Sequence, residues 1–354
     1  MSRTRKRSFR ASLDERGAVR KPMGFTLIEL MIALLLGAIV IAGVVSVFLG
    51  TQQSYRANQA LGDVQDGSRI AFDLMSRDIR EAGLTGCYST GTGSVANVLS
   101  NSPNNSGTVW WANWGNTIHG YSSGDPALTV GTGAKQQVTG TDSLELVGAS
   151  DLSVSVATHV ASTSTFTLNE STSTLVAGDV VVACDPNHSV VLQLSTATGS
   201  PLQLTYASPG LVPGNCSTGL AFPTVCTTTG TSYTYGANAQ IARLNASDWY
   251  IGNYNDTVAG TKGTSLYRAD LETNSTVPTV VPEEMVRNVS AMTILYHQLP
   301  NTAFLSAASI TNWAAVDSVQ VTLTLQSSNQ LASTSMKPIV RTFTSTTTLR
   351  NRVK

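Results

Sequence analysis

"KPMGFTLIEL", residues 21–30, opens an apolar run at Phe25 and interrupts it almost at once with Glu29. From Leu30 to Ser54 no residue is charged, and about 20 apolar residues suffice to cross a bilayer as a helix. The stretch therefore predicts a membrane-spanning helix with a carboxylate near its start. On insertion scales an acidic residue at the centre of such a helix costs about 2.5–3.5 kcal/mol, and less near its end. A plain anchor gains nothing from carrying it.

The segment before this run sets the topology. Residues 1–24 hold eight basic residues (Arg3, Arg5, Lys6, Arg7, Arg10, Arg16, Arg20, Lys21) against Asp14 and Glu15, so the formal net charge of zero hides a basic tip and an acidic remainder. A basic flank beside an apolar span stays on the cytoplasmic side. A nucleic-acid-binding arm is the rival reading, but the basic stretch ends where the membrane segment begins. The apolar core is too long for a cleavable secretory signal, and no A-x-A-like site follows it. "KRSFR" lacks the arginine pair of a twin-arginine signal. An uncleaved anchor remains the plain alternative; Gly24, placed at the cytoplasmic boundary, and Glu29 both argue against it.

The helix is expected to run on past the membrane. No proline occurs between Met23 and Ser102. Leu61, Val64, Ala71, Leu74, Met75 and Ile79 recur at helical spacing, and Arg69–Asp73, Asp73–Arg77 and Arg77–Glu81 are opposite charges at i,i+4. Gly83 is the expected stop. A helix over 25–82, about 58 residues, would be roughly 87 Å long, apolar all round over 25–54 and amphipathic over 55–82. Ala33 and Gly37 form a small-xxx-small pair suited to close helix approach.

Residues 83–140 are rich in Gly, Ser, Asn and Thr and read as an irregular connection. Trp110, Trp111 and Trp114 either pin it to the core or present a partner surface. From Thr141 to the last residue the chain reads as an antiparallel β-rich head. "DSLELVGA", "LSVSVA", "STFTLN", "GDVVVAC", "SVVLQLS", "QIARLNA", "DWYIGNY" and "TSLYRADL" are short β-branched runs between turn residues. "PEEMVRNVSAMTILYH" starts as a helical turn and ends as a strand. "DSVQVTLTLQS" and "IVRTFTSTTTL" read as a closing antiparallel pair. The fold class is α+β.

Cys87, Cys184, Cys216 and Cys226 contain no CxxC and no histidine at metal-ligand spacing. In an exported head four cysteines suggest two disulfides, with three connectivities open. A short Cys216–Cys226 loop with a Cys87–Cys184 bridge is the favoured one. No catalytic, cofactor or metal site emerges. His119, His159, His188 and His297 are scattered, "AGTKGTS" around Lys262 lacks the Walker spacing, "DPNH" at 185–188 reads as a turn, and "NYND" at 253–256 has too few acids for a calcium loop. No enzyme and no small-molecule substrate are expected.

Taken together, the basic leader, Gly24, Phe25-Thr26-Leu27-Ile28-Glu29 and an apolar helix resemble the class III signal of type IV pilins and type II secretion pseudopilins. The resemblance implies cleavage between Gly24 and Phe25 by a prepilin peptidase, N-methylation of Phe25, and subunit assembly through Glu29. Cleavage would create an amine on Phe25, and pairing it with a neighbour's Glu29 would compensate two desolvated charges. "RDIREAGLTGC", "SLYRADL", "EEMVRNVSAMTILYH" and "RTFTSTTTLRNR" resemble the PilW family of minor pilins. That implies a tip or priming complex with other minor pilins and the major pilin, built on the inner-membrane assembly platform, with the head in the periplasm before assembly. A J-type pseudopilin, and a tip adhesin or DNA-uptake module, are the alternatives. The acidic balance of the chain after Gly24 argues against general nucleic-acid affinity.

Overall fold

The computed structural model describes residues 24–87, 95–207, 211–256, 261–329, 331–333, 335 and 337–352. The expected cytoplasmic leader, apart from Gly24, lies outside the described residues. The chain forms two compact units divided between Tyr55 and Arg56. One α-helix, α1 (Leu27–Glu81), runs through both.

The first unit is the apolar half of α1. Its large side chains, from Leu27 and Ile28 to Phe48 and Leu49, are all more than 45% exposed. Among the described residues of this unit, none covers them. Length and composition suit a membrane span, and a helix that is apolar all round needs a surrounding of lipid or other helices.

The second unit is the last part of α1 with a β-rich head. The strands are β1 (Val95–Asn97), β2 (Ile118–Tyr121), β3 (Ser143–Val160), β4 (Thr165–Leu168), β5 (Val180–Cys184), β6 (Ser189–Gln193), β7 (Thr196–Thr198) and β8 (Gln203–Thr205). They continue as β9 (Gln240–Asp256), β10 (Thr261–Asn274), β11 (Val277–Arg287), β12 (Val289–Gln298), β13 (Phe304–Ser306), β14 (Val316–Gln326) and β15 (Val340–Thr348). A large sheet follows the order β1-β6-β5-β9-β3-β4-β8-β7, with β10 and β11 added on β9 and β2 on β3. A smaller antiparallel sheet has the order β13-β12-β14-β15.

On α1 the buried positions are Ala60, Val64, Ser68, Ala71, Met75, Asp78 and Ile79, a stripe at i,i+3 and i,i+4. It shares one core with Met292, Ile294 and Tyr296 of β12 and Val319, Val321, Leu323 and Leu325 of β14. Both strands alternate buried and half-exposed residues, as one-sided antiparallel sheets do. Gly67 allows close approach: a Cβ there would lie 3.3 Å from Leu325 Cδ2 and 3.5 Å from Val286 Cγ1. On the other face of the small sheet, hydroxyl pairs Thr322–Thr344 and Thr324–Thr342 bridge β14 and β15 at 3.0 and 3.1 Å.

The helix ends where glycine allows it. Gly83 has φ +77°, and its N–H donates to Val147 O at 2.8 Å. One turn earlier, Asp78 is buried in the stripe that otherwise reads as apolar. Its Oδ2 accepts from Trp249 Nε1 at 2.9 Å and pairs with Arg268 Nε at 2.8 Å. Burial pushes the Asp78 carboxyl up in pKa, while Arg268 and Trp249 pull it back. The quoted blocks "RDIREAGLTGC" and "SLYRADL" therefore meet in space, through Asp78 and Arg268. Arg77–Glu81 closes at 3.2 Å as its spacing predicts.

Several expectations need correction. The connection 83–140 is not wholly irregular: β1 pairs with β6 and β2 with β3. Runs of 3 and 4 residues are too short for alternation to show in the sequence. "DSLELVGA" and "LSVSVA" form one strand, β3, because its pairing with β9 absorbs Ser150–Leu152 as a bulge between Ala149 and Ser153. "QIARLNA" and "DWYIGNY" fuse into β9, whose Asp248 pairs rather than turns. "NYND" is the end of that strand. "PEEMVR" is extended in β11, paired with β10 on both sides of a bulge at Met285, and Asn288 (φ +62°) turns the chain into β12; pairing outweighs local preference. "DPNH" is a turn between β5 and β6, where Asp185 Oδ1 accepts from the N–H groups of Asn187 and His188.

Candidate functional site at the start of the helix

Gly24 and Phe25 precede the helix as extended, exposed residues, and Phe25 is 90% exposed. Thr26 is the N-cap. Its N–H and its hydroxyl each donate to Glu29 Oε2 at 2.9 Å, while the Glu29 N–H reaches Thr26 Oγ1 at 3.3 Å. The first helical bond, Leu30 N–H to Thr26 O, follows at 3.2 Å. This is a capping box: a Thr and a Glu three residues apart satisfy each other's free backbone donors at a helix start. The carboxylate also sits at the positive end of the helix dipole. Reading Glu29 for assembly alone misses this. The signal was present as "TLIE", Thr26 to Glu29, immediately before an apolar run.

The arrangement brings together a glycine, an accessible aromatic residue, a carboxylate held within one turn of it, and an apolar surface that no other described residue of the unit covers. Residues 24–45 match one family model. Its subject is the prokaryotic N-terminal methylation motif. The N-terminus is thus type IV pilin-like, which supports a structural role of the pilin or pseudopilin kind. The motif implies a prepilin peptidase substrate with pilus-related partners, and with the apolar helix it fits membrane anchoring and later pilus incorporation. Comparison with curated proteins and with solved structures returns no match.

In the head, Cys87 is bonded to Cys184 and Cys216 to Cys226. The first joins the chain just after α1 to the end of β5; the second closes a short loop. Trp111 is buried with Leu244 and Val182, and Trp110 and Trp114 pack against the same core, so all three pin the connection. Two of the histidines, His159 and His188, are held in the packed head. His159 stacks on Phe166 at 4.2 Å and bonds Tyr206 Oη at 2.7 Å, and burial lowers its pKa to about 4. His188 Nε2 lies 2.6 Å from Leu220 O. Among the described residues no group of three His, Cys, Asp or Glu is placed to hold a metal ion.

Proposed function

We propose that this chain is a minor pilin of a tip or priming complex, which starts or supports assembly of a type IV pilus and so serves adhesion and twitching motility. Prepilin peptidase cuts between Gly24 and Phe25, and Phe25 is N-methylated. The uncovered apolar half of α1 then passes from lipid into a filament core. There Glu29 pairs with the Phe25 amine of a neighbouring subunit, another minor pilin or the major pilin, on the inner-membrane platform. Before assembly the head lies in the periplasm.

The observation that carries this reading is the conjunction at one helix start of Gly24, exposed Phe25 and the Thr26–Glu29 box, followed by an apolar surface that no other described residue of its unit covers. Mass spectrometry of the mature N-terminus tests it, with methylated Phe25 expected at position one. Functional protein that keeps Met1 overturns it. A J-type pseudopilin would share this N-terminus, so gene deletion is the second arm. Loss of pili with normal exoprotein secretion supports the minor pilin; the reverse assigns the pseudopilin.

A further inference from the structure

A cleft of about 200 Å³ opens in the head beside the tryptophan-bearing connection, lined by Trp110, Asn113, Asn116, His119, Tyr121 and Glu145 among others. No lysine or arginine is among the described residues that line it. His119, Glu145 and Asp248 are direct cross-strand neighbours on β2, β3 and β9, so they stand in a row on one face of the sheet. Asp125 adds a third carboxylate to the group, accepting from Ser143 Oγ at 2.8 Å. Glu145 is 5% exposed.

Two of these groups are incomplete. Glu145 Oε1 and His119 Nδ1, both on the cleft wall, are buried without a hydrogen-bond partner. Asp248, one strand behind, is buried with its carboxyl against that of Asp125. A buried polar atom without a partner costs about 1–3 kcal/mol, so the wall is poised to accept hydrogen bonds. His119 lies between Tyr121 and Trp313, its ring centroid 4.5 Å from each. Burial lowers its pKa, so it brings no positive charge to the cleft. Burial and the nearby Asp125 push Glu145 up to about 9, and burial keeps Asp248 raised too.

We propose that this cleft binds an organic cation, an alkylammonium or guanidinium group, through Glu145 Oε1 and His119 Nδ1, against the aromatic faces of Trp110 and Tyr121. Such groups only donate hydrogen bonds, matching two acceptors, and they favour aromatic faces. A divalent metal fits less well: Glu145 is the one carboxylate on the wall, and calcium takes about 6–8 oxygens. A neutral sugar would leave Glu145 protonated and form no charge pair with it. Binding exchanges one proton. The Glu145 carboxyl releases it to solvent, and the carboxylate formed pairs with the cation. The other titratable groups facing Glu145 are Asp125, Asp248, His119, Tyr121 and, from β12, Tyr296.

The source of the cation is either a free amine or a Lys or Arg side chain of a neighbouring subunit. Isothermal titration of the full chain in detergent with agmatine and with cadaverine tests the chemistry. Glucose and calcium serve as controls. The expected result is binding of the amines alone, with release of a proton and an affinity that rises roughly tenfold per pH unit between pH 6 and 8. Glu145→Gln should weaken binding at least tenfold and remove the pH slope, and Trp110→Leu should weaken it while keeping the slope. Carbodiimide coupling in assembled filaments separates the sources. A cross-link from Glu145 to another subunit assigns a side chain, and amine binding without that cross-link assigns a small molecule. Amine binding unchanged in both variants, glucose or calcium in place of amines, or neither amine binding nor cross-link overturns the proposal.

Discussion

Leu35 and Met75 are large apolar residues on the same helix, yet Leu35 is 63% exposed and Met75 is 1% exposed. Around Leu35 every side of α1 is apolar and no described residue of its unit covers it. Around Met75 the apolar residues narrow to a stripe, with charges such as Arg69, Asp73 and Arg77 on the outer surface. The comparison separates two meanings of apolarity. A full apolar circumference belongs to a helix whose surroundings come from outside the chain; a stripe belongs to one whose surroundings come from its own head.

Changing one half should leave the measure of the other untouched. The largest effect is expected at Asp78, the charge inside the stripe. Asp78→Ala leaves Trp249 Nε1 without its acceptor and Arg268 with Asp270 as its remaining carboxylate, and breaking a buried pair on one side costs about 3–5 kcal/mol. Chemical denaturation of the full chain in detergent, followed by tryptophan fluorescence, should read that loss, and an unchanged midpoint would mean that the ion pair does not hold α1 on the head. Met75→Ala comes next, at about 2–5 kcal/mol for a truncation in a packed core. Leu35→Ala should leave the same head transition where it is and reduce incorporation into filaments, scored by immunoblot of sheared fibres. A shift of the head transition by Leu35→Ala would break the comparison. The smallest effect is expected at the cap. Thr26→Ala should lower helix stability by about 1 kcal/mol, seen as faster amide exchange in the first turn alone.

Much of this was legible in the sequence because its causes are local. The span over Leu30–Ser54, the stripe through Val64, Ala71, Met75 and Ile79, and the stop at Gly83 each follow from spacing within one helix. The closing pair β14 and β15 was legible from two alternating runs. What stayed hidden depends on partners far along the chain. β11 is extended because β10 lies beside it, and nothing within "PEEMVRN" says so. Asp78 looks like one more surface charge until Arg268 and Trp249 are brought to it. Glu145 and Asp248 sit in ordinary-looking strand runs, and their juxtaposition with His119 is a matter of register alone. The box at Thr26 and Glu29 is the opposite case: it is local and readable, and was hidden only by the more conspicuous meaning of Glu29.

That box has a consequence for any exchange of partners by Glu29. In the capped state the carboxylate already holds two hydrogen bonds from Thr26, so moving to a neighbour's amine is a substitution and not the rescue of a stranded charge. Its driving force is therefore a difference between two satisfied states. The same difference runs in reverse. In the proposed assembly, a subunit separated from its neighbour would close the ring again with Thr26, so that both lipid and filament would leave the acid with a partner.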